Sequence, residues 1–220
     1  MRRRYQHDWN LSPRDAVRVQ QQLAKMVVTT NESGQVRLVA GIDVGFRDGG
    51  KTTCAAIVIM EYPSLELIET RTAHCHTSFP YVPGLLSFRE LPAILKALDK
   101  VDRLPDLCMC DGQGYAHPRR FGVACHLGLI TGLPSIGIAK TRLIGTSDPV
   151  PNERGKWVHL YDNNEIIGAV LRTRVNVKPV YISVGHKVDL ATAIEYVMGC
   201  TSRYKLPETI RLADKFASGK

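Results

Sequence analysis

Long apolar runs are absent from this 220-residue sequence. No stretch approaches the roughly 20 apolar residues needed to cross a bilayer, so no membrane partner is expected. The opening MRRRYQHDW is basic but has no apolar segment behind it, which argues against a secretory signal and for a cytoplasmic protein. Paired cysteine spacing is also missing: there are six cysteines, none of them in a CxxC. Structural zinc sites show such pairs. The cysteines therefore read as reduced, mostly buried thiols, and His74-Cys75-His76 as part of a strand. Repeats, linkers and low-complexity stretches are lacking too, so a single domain over residues 1–220 is expected.

Positive charge, by contrast, is plentiful. Lysine and arginine outnumber aspartate and glutamate 29 to 21, a net charge of +8. That excess favours an anionic partner, and nucleic acid is the commonest one. A hydrophobic content of 44% suits a globular domain with a substantial core.

Ser12-Pro13 predicts a helix start, with Ser12 as the cap and Pro13 in the first helical position. Three strands are predicted over residues 37–46, 52–60 and 65–77, the first two joined by the turn Arg47-Asp48-Gly49-Gly50. An antiparallel meander follows from that spacing. The remainder alternates: a helix over 87–99, a short buried strand over 106–111, a helix over 119–131 and a strand over 133–140. Residues 147–155 read as a loop, 166–175 and 179–185 as two more strands. Asp189 caps a helix running to about residue 199, and a last short helix follows Pro207. The order predicts an α/β fold, a mixed central sheet flanked by helices.

Three acids stand out. Asp43 lies inside the first strand, where an acid is costly to desolvate unless it is paired or binds a metal. Since Ile42 and Val44 point to the opposite face, a solvent-facing Asp43 is an equal alternative. Asp111 ends the buried strand before Gly112-Gln113-Gly114, a position where sites form in sheets with parallel strands. Glu90 has a structural reading, because Ser87-Phe88-Arg89-Glu90 fits a capping box. Carboxylates converging on one point suit hard divalent cations and phosphodiester hydrolysis, but spacing alone does not establish convergence.

Several blocks together resemble the endonuclease V family: GIDV (41–44), FPYVPGLLSFRELPA (79–93), DGQGYAHPRRFGVACHLG (111–128), GIAKTRLIG (137–145), VYISVGHKVDL (180–190) and LPETIRLAD (206–214). The likeness extends over residues 12–216, nearly the whole chain. It implies a ribonuclease H-like fold and a deoxyinosine-directed DNA repair nuclease that cuts the second phosphodiester bond 3′ to the lesion. It implies magnesium, with manganese as an alternative, held by Asp43 and Asp111, with Glu90 completing the acidic cluster and Asp214 as a fourth acid. Lys140 matches the family's active-site lysine. Pro80-Tyr81-Val82-Pro83 resembles its strand-separating wedge, two prolines stiffening the loop around a ring that stacks. The flipped base would enter a pocket near Leu85, Gly112, Gly114, His117 and Ile138. Arg119 and Arg120 are expected to contact phosphates at a helix start.

Other readings differ in class. GIDVG with its glycine turn also resembles the first phosphate loop of actin-like ATPases and sugar kinases, but 220 residues are too few for the two domains those proteins need. An inosine-binding module that does not cut has no need of clustered acids. An inosine-specific endoribonuclease fits the basic charge equally, and a 2′-hydroxyl contact is not legible in sequence, but compactness and a complete wedge favour DNA repair. DNA containing deoxyinosine, bound by a monomer, is the expected partner.

Overall fold

In the computed structural model, which describes residues 3–219, the chain opens with α1 (Pro13–Ala24), whose Ser12 cap accepts the Asp15 backbone N–H. Strands β1 (Leu38–Arg47), β2 (Thr52–Glu61) and β3 (Leu67–His76) then form the expected antiparallel meander. At the β1–β2 turn, Asp48, Gly49 and Gly50 all adopt positive φ, which the two glycines take without a Cβ penalty. α2 (Leu86–Leu98) leads into β4 (Leu107–Asp111), and α3 (Val123–Thr131) into β5 (Ser135–Ala139). β4 pairs parallel to β1 and β5 parallel to β4. β6 (Trp157–Asp162), β7 (Glu165–Leu171) and β8 (Val180–His186) complete one eight-stranded mixed sheet, ordered β3-β2-β1-β4-β5-β8-β7-β6. α4 (Leu190–Gly199), capped by Asp189, and α5 (Glu208–Ser218) close the chain.

Alternation along the strands sorts two cores. Ala40, Ile42, Cys108 and Cys110 pack with Leu91, Ile94 and Leu127 under α2 and α3. Val39, Met109 and Ile138 pack with Val197, Ile210 and Ala213 under α4 and α5. The six cysteines are free thiols, five of them buried. Among the described residues no helix is long and apolar enough to cross a membrane.

One strand was not anticipated, and three readings of the sequence need correction. Residues 157–162 form β6, joined to β7 by Asn163-Asn164, both at positive φ; asparagine tolerates this hairpin conformation without glycine. Residues 172–175 are not strand, since β7 ends at Leu171. α3 starts at Val123 rather than 119, because Arg120 at φ 55 breaks helical geometry just before it. Finally, no capping box forms at α2: Leu85 is the N-cap position and no side chain caps the helix. Ser87 is already inside the helix, so Glu90 is not placed to reach back.

Candidate active site

The acids meet where the parallel strands end. β1 pairs with β4 only as far as Ile42, opposite Cys110, so Asp43 and Asp111 come next on neighbouring strands. Asp111 in turn lies opposite Ile138 of β5, two residues before Lys140. Gly41, Asp43 and Gly45 share one face of β1. A Cβ at Gly41 would overlap the Thr209 carbonyl, and one at Gly45 would sit 2.6 Å from the Ala217 carbonyl oxygen. Glycine on both sides of Asp43 therefore lets α5 lie directly on the strand. That close packing carries Asp214, between Thr209 and Ala217, to the site. Carboxylate oxygens of Asp43, Asp111 and Asp214 all fall within 4.8 Å of one another.

Lys140 Nζ lies 2.6 Å from Asp111 Oδ2 and 3.7 Å from Asp214 Oδ1. One ammonium does not neutralise the group. Burial, then the Asp111 charge, pushes the Asp43 carboxyl up to about 7, although the Val44 N–H donates to it at 2.8 Å. At Asp111 burial outweighs the Lys140 hydrogen bond, and its pKa is raised as well. Lys140 is itself buried enough to lose some basicity, but its bond to Asp111 and the acids around it win, and its pKa rises. Glu90 comes from α2 on the other side of the sheet and is only 8% exposed. Burial, followed by repulsion from Asp43 and Asp111, raises its pKa to about 8. It stands behind the three aspartates rather than among them.

This donor set fits a hard divalent cation. The close group holds carboxylates alone, with neither histidine nor cysteine among the described residues that compose it. Burial first of all raises the pKa of Asp43 and of Asp111, and a bound cation would favour their charged forms.

Beside the acids is a cavity of about 430 Å³, lined by Asp111, Gly112, Gln113, His117 and Lys140 on one side and by Tyr81 to Gly84, Leu86 and Ser87 on the other. Of the expected pocket residues, Gly112 and His117 line it. Leu85 and Ile138 are buried in the cores beneath. Gly114 is buried too; its N–H donates to Ser183 Oγ, and a Cβ there would overlap the Val184 carbonyl. Gln20, Gln113, Thr141 and Leu143 line the cavity without having been anticipated.

The 80–83 loop is clamped at both ends. Arg89 donates to the Phe79 and Gly50 carbonyls, each at 3.1 Å, and stacks on Phe46. The Gly84 carbonyl accepts from Gln20 Nε2 at 3.0 Å, His117 Nε2 at 3.0 Å and Arg119 Nη2 at 2.7 Å. Between the clamps Tyr81 is 72% exposed, and Pro80 is exposed with it. His117 is neutral: Nε2–H donates to Gly84, Nδ1 accepts the Arg119 N–H, and burial holds its pKa down near 4. Both arginines are engaged within the protein. Arg119 also binds Gln20, while Arg120 pairs with Asp162 and Glu165, each at 2.8 Å. Neither belongs to a helix start, because α3 begins at Val123.

The chain and its fold have known relatives. The sequence model of the Endonuclease V family matches residues 21–215. Endonuclease V of Rippkaea orientalis is 54% identical over 206 residues, covering 94% of this chain and 90% of that protein. The crystal structure of Endonuclease V from Streptomyces avermitilis superposes with a TM-score of 0.90 at 42% identity, covering 95% of this chain and 92% of the other. Endonuclease V of Ciona intestinalis, in complex with a 23mer DNA containing an inosine followed by a ribo-adenosine, gives 0.82 at 26% identity, covering 94% and 97%.

Proposed function

Because this chain belongs to the endonuclease V family, we propose that it is a DNA repair endonuclease that recognises deoxyinosine and hydrolyses the second phosphodiester bond 3′ to it, leaving a 3′-hydroxyl and a 5′-phosphate. The observation that carries this reading is the convergence of Asp43, Asp111 and Asp214 with Lys140 beside the cavity under Tyr81. The Ciona relative bound to inosine-containing DNA supports the same substrate. The enzyme acts as a single domain and a monomer.

Asp43, Asp111 and Asp214 would hold magnesium, or manganese in its place, with Glu90 behind them adding negative potential. Such an ion supplies Lewis-acid charge at the phosphate and a water of lowered pKa. Lys140 holds a non-bridging phosphate oxygen and offsets charge that develops there. Tyr81, on its clamped loop, stacks in the gap left by the flipped nucleotide, and rigidity means little ordering cost on binding. Hypoxanthine lacks the 2-amine of guanine and carries an oxygen where adenine has its 6-amine, so a close-fitting cavity excludes guanine by size and adenine by unmatched hydrogen bonds.

A second reading, cleavage of inosine-containing RNA, is favoured by the ribo-adenosine that follows inosine in the Ciona complex. Both are tested with one set of strands: DNA and RNA of the same sequence, each with a single inosine, with magnesium or with chelator. The expected product is a single nick at the second bond, in DNA, only with the ion. Equal product from Asp43→Ala protein, or in chelator, overturns the mechanism. Faster cleavage of the RNA overturns the assignment to DNA.

A further inference from the structure

One chain of hydrogen bonds runs inward from the exposed N-terminal segment to the cavity wall and has no part in metal binding. His7 Nδ1 lies 2.6 Å from the Asp8 carbonyl oxygen. His7 Nε2 lies 2.8 Å from His126 Nε2, and His126 Nδ1 lies 2.9 Å from Ser87 Oγ. His126 is fully buried among Trp9, Phe88 and Phe121, and Ser87 is 3% exposed.

A carbonyl only accepts, and that sets the direction of every bond. His7 must carry its proton on Nδ1, leaving Nε2 to accept. His126 must then donate from Nε2 and accept at Nδ1, so Ser87 donates its hydroxyl proton to His126. This order holds for neutral rings, and burial lowers the pKa of both. Ser87 also lines the cavity. With its proton committed to His126, the hydroxyl keeps only acceptor capacity for the cavity that the residue lines. The uncapped first turn of α2 supplies backbone N–H donors beside it.

We propose that Ser87 determines specificity by accepting the ring N–H of a flipped 6-oxopurine, and that His126 and His7 are positioning residues that hold it in that polarity. An acceptor beside donors matches the O=C–N–H edge of such a base. Adenine presents the reverse, an amine and a ring lone pair, and would leave both sides unmatched. The inference rests on the reading of this cavity as the base pocket.

The test is equilibrium binding, in chelator, to duplexes carrying hypoxanthine, adenine or unsubstituted purine at one position. Chemistry is then excluded, and comparing each variant with wild type cancels the cost of flipping. Ser87→Ala should lower the preference for hypoxanthine over purine about tenfold or more. His7→Phe keeps the ring stack and lies two hydrogen bonds from Ser87. It should free the serine hydroxyl to donate, narrowing discrimination against adenine by about tenfold. If both variants keep wild-type selectivity, the proposal falls. If His7→Phe alone keeps it, the imposed polarity falls. A wild-type protein with no preference for hypoxanthine would overturn the proposed function itself.

Discussion

Asp43 shows how one residue is decided by its surroundings. In the strand it has a solvent-facing alternative; in the structure it lies against Asp111 and Asp214, and its carboxyl is pushed up to about 7. Asp214 is half-exposed, yet it contributes an oxygen to the same group, and Glu90 does not. Asp214→Asn should therefore weaken divalent-ion dependence by about 10- to 100-fold, the range found when groups around metal ligands are lost. A titration of cleavage rate against magnesium measures it, and an unchanged midpoint would exclude Asp214 from the site. Residue identity alone also misleads at Arg119 and Arg120. Both look like free cations for phosphate, whereas both are spent on anchoring the protein's own loops.

At the scale of elements, two contacts set the site: α5 on β1 and the clamps on the 80–83 loop. The first depends on glycines, since any Cβ at 41 or 45 meets helix backbone. Gly45→Ala should cost about 1–3 kcal/mol, as overpacking does, and should shift Asp214 with α5. Thermal unfolding should show the loss, and cleavage should fall with it. Gly49→Ala is the control: its φ of 64 carries backbone strain, but nothing lies within 4 Å, so cleavage should persist. Equal cleavage by Gly45→Ala and wild type would mean that α5 does not position the acid. The second contact explains a rigid but exposed Tyr81: the side-chain donors of Arg89 and Arg119 hold the loop by its backbone carbonyls at Phe79 and Gly84 and not by the ring.

For the whole molecule, packing acids without their cation has a pH signature. The folded-state pKa values of Glu90, about 8, and Asp43, about 7, exceed their unfolded values near 4. The native state then holds protons that the unfolded chain has already released, so stability present at low pH is lost as pH rises through 7 to 8. Buried histidines such as His117, with lowered pKa, act below pH 6.5 and in the opposite sense. Between pH 6.5 and 8, protein in chelator should lose stability as pH rises, at up to about 1.4 kcal/mol per unit for each such acid. Glu90→Gln should flatten that slope, and magnesium should restore most stability at the high end. Denaturant unfolding at several pH values checks this; a slope that Glu90→Gln leaves unchanged would contradict the burial of a protonated acid there.

Much of this was present in the residues themselves. Alternating apolar strands around a glycine turn determined the meander, Ser12 and Asp189 determined two helix starts, and a strand-ending Asp111 before glycines marked the site. These are local matters of backbone conformation and period. The β6–β7 hairpin was hidden because its turn uses two asparagines, and the α3 start because a left-handed Arg120 leaves no pattern. Tertiary structure alone decided that Ser87-Phe88-Arg89-Glu90 is helix interior rather than a cap, and that Asp214 stands with Asp43 and Asp111 while Glu90 waits behind. The reason is physical: convergence of charges depends on how closely α5 approaches β1, and that distance is set by the absence of two Cβ atoms on another element, 160 and more residues away in the chain.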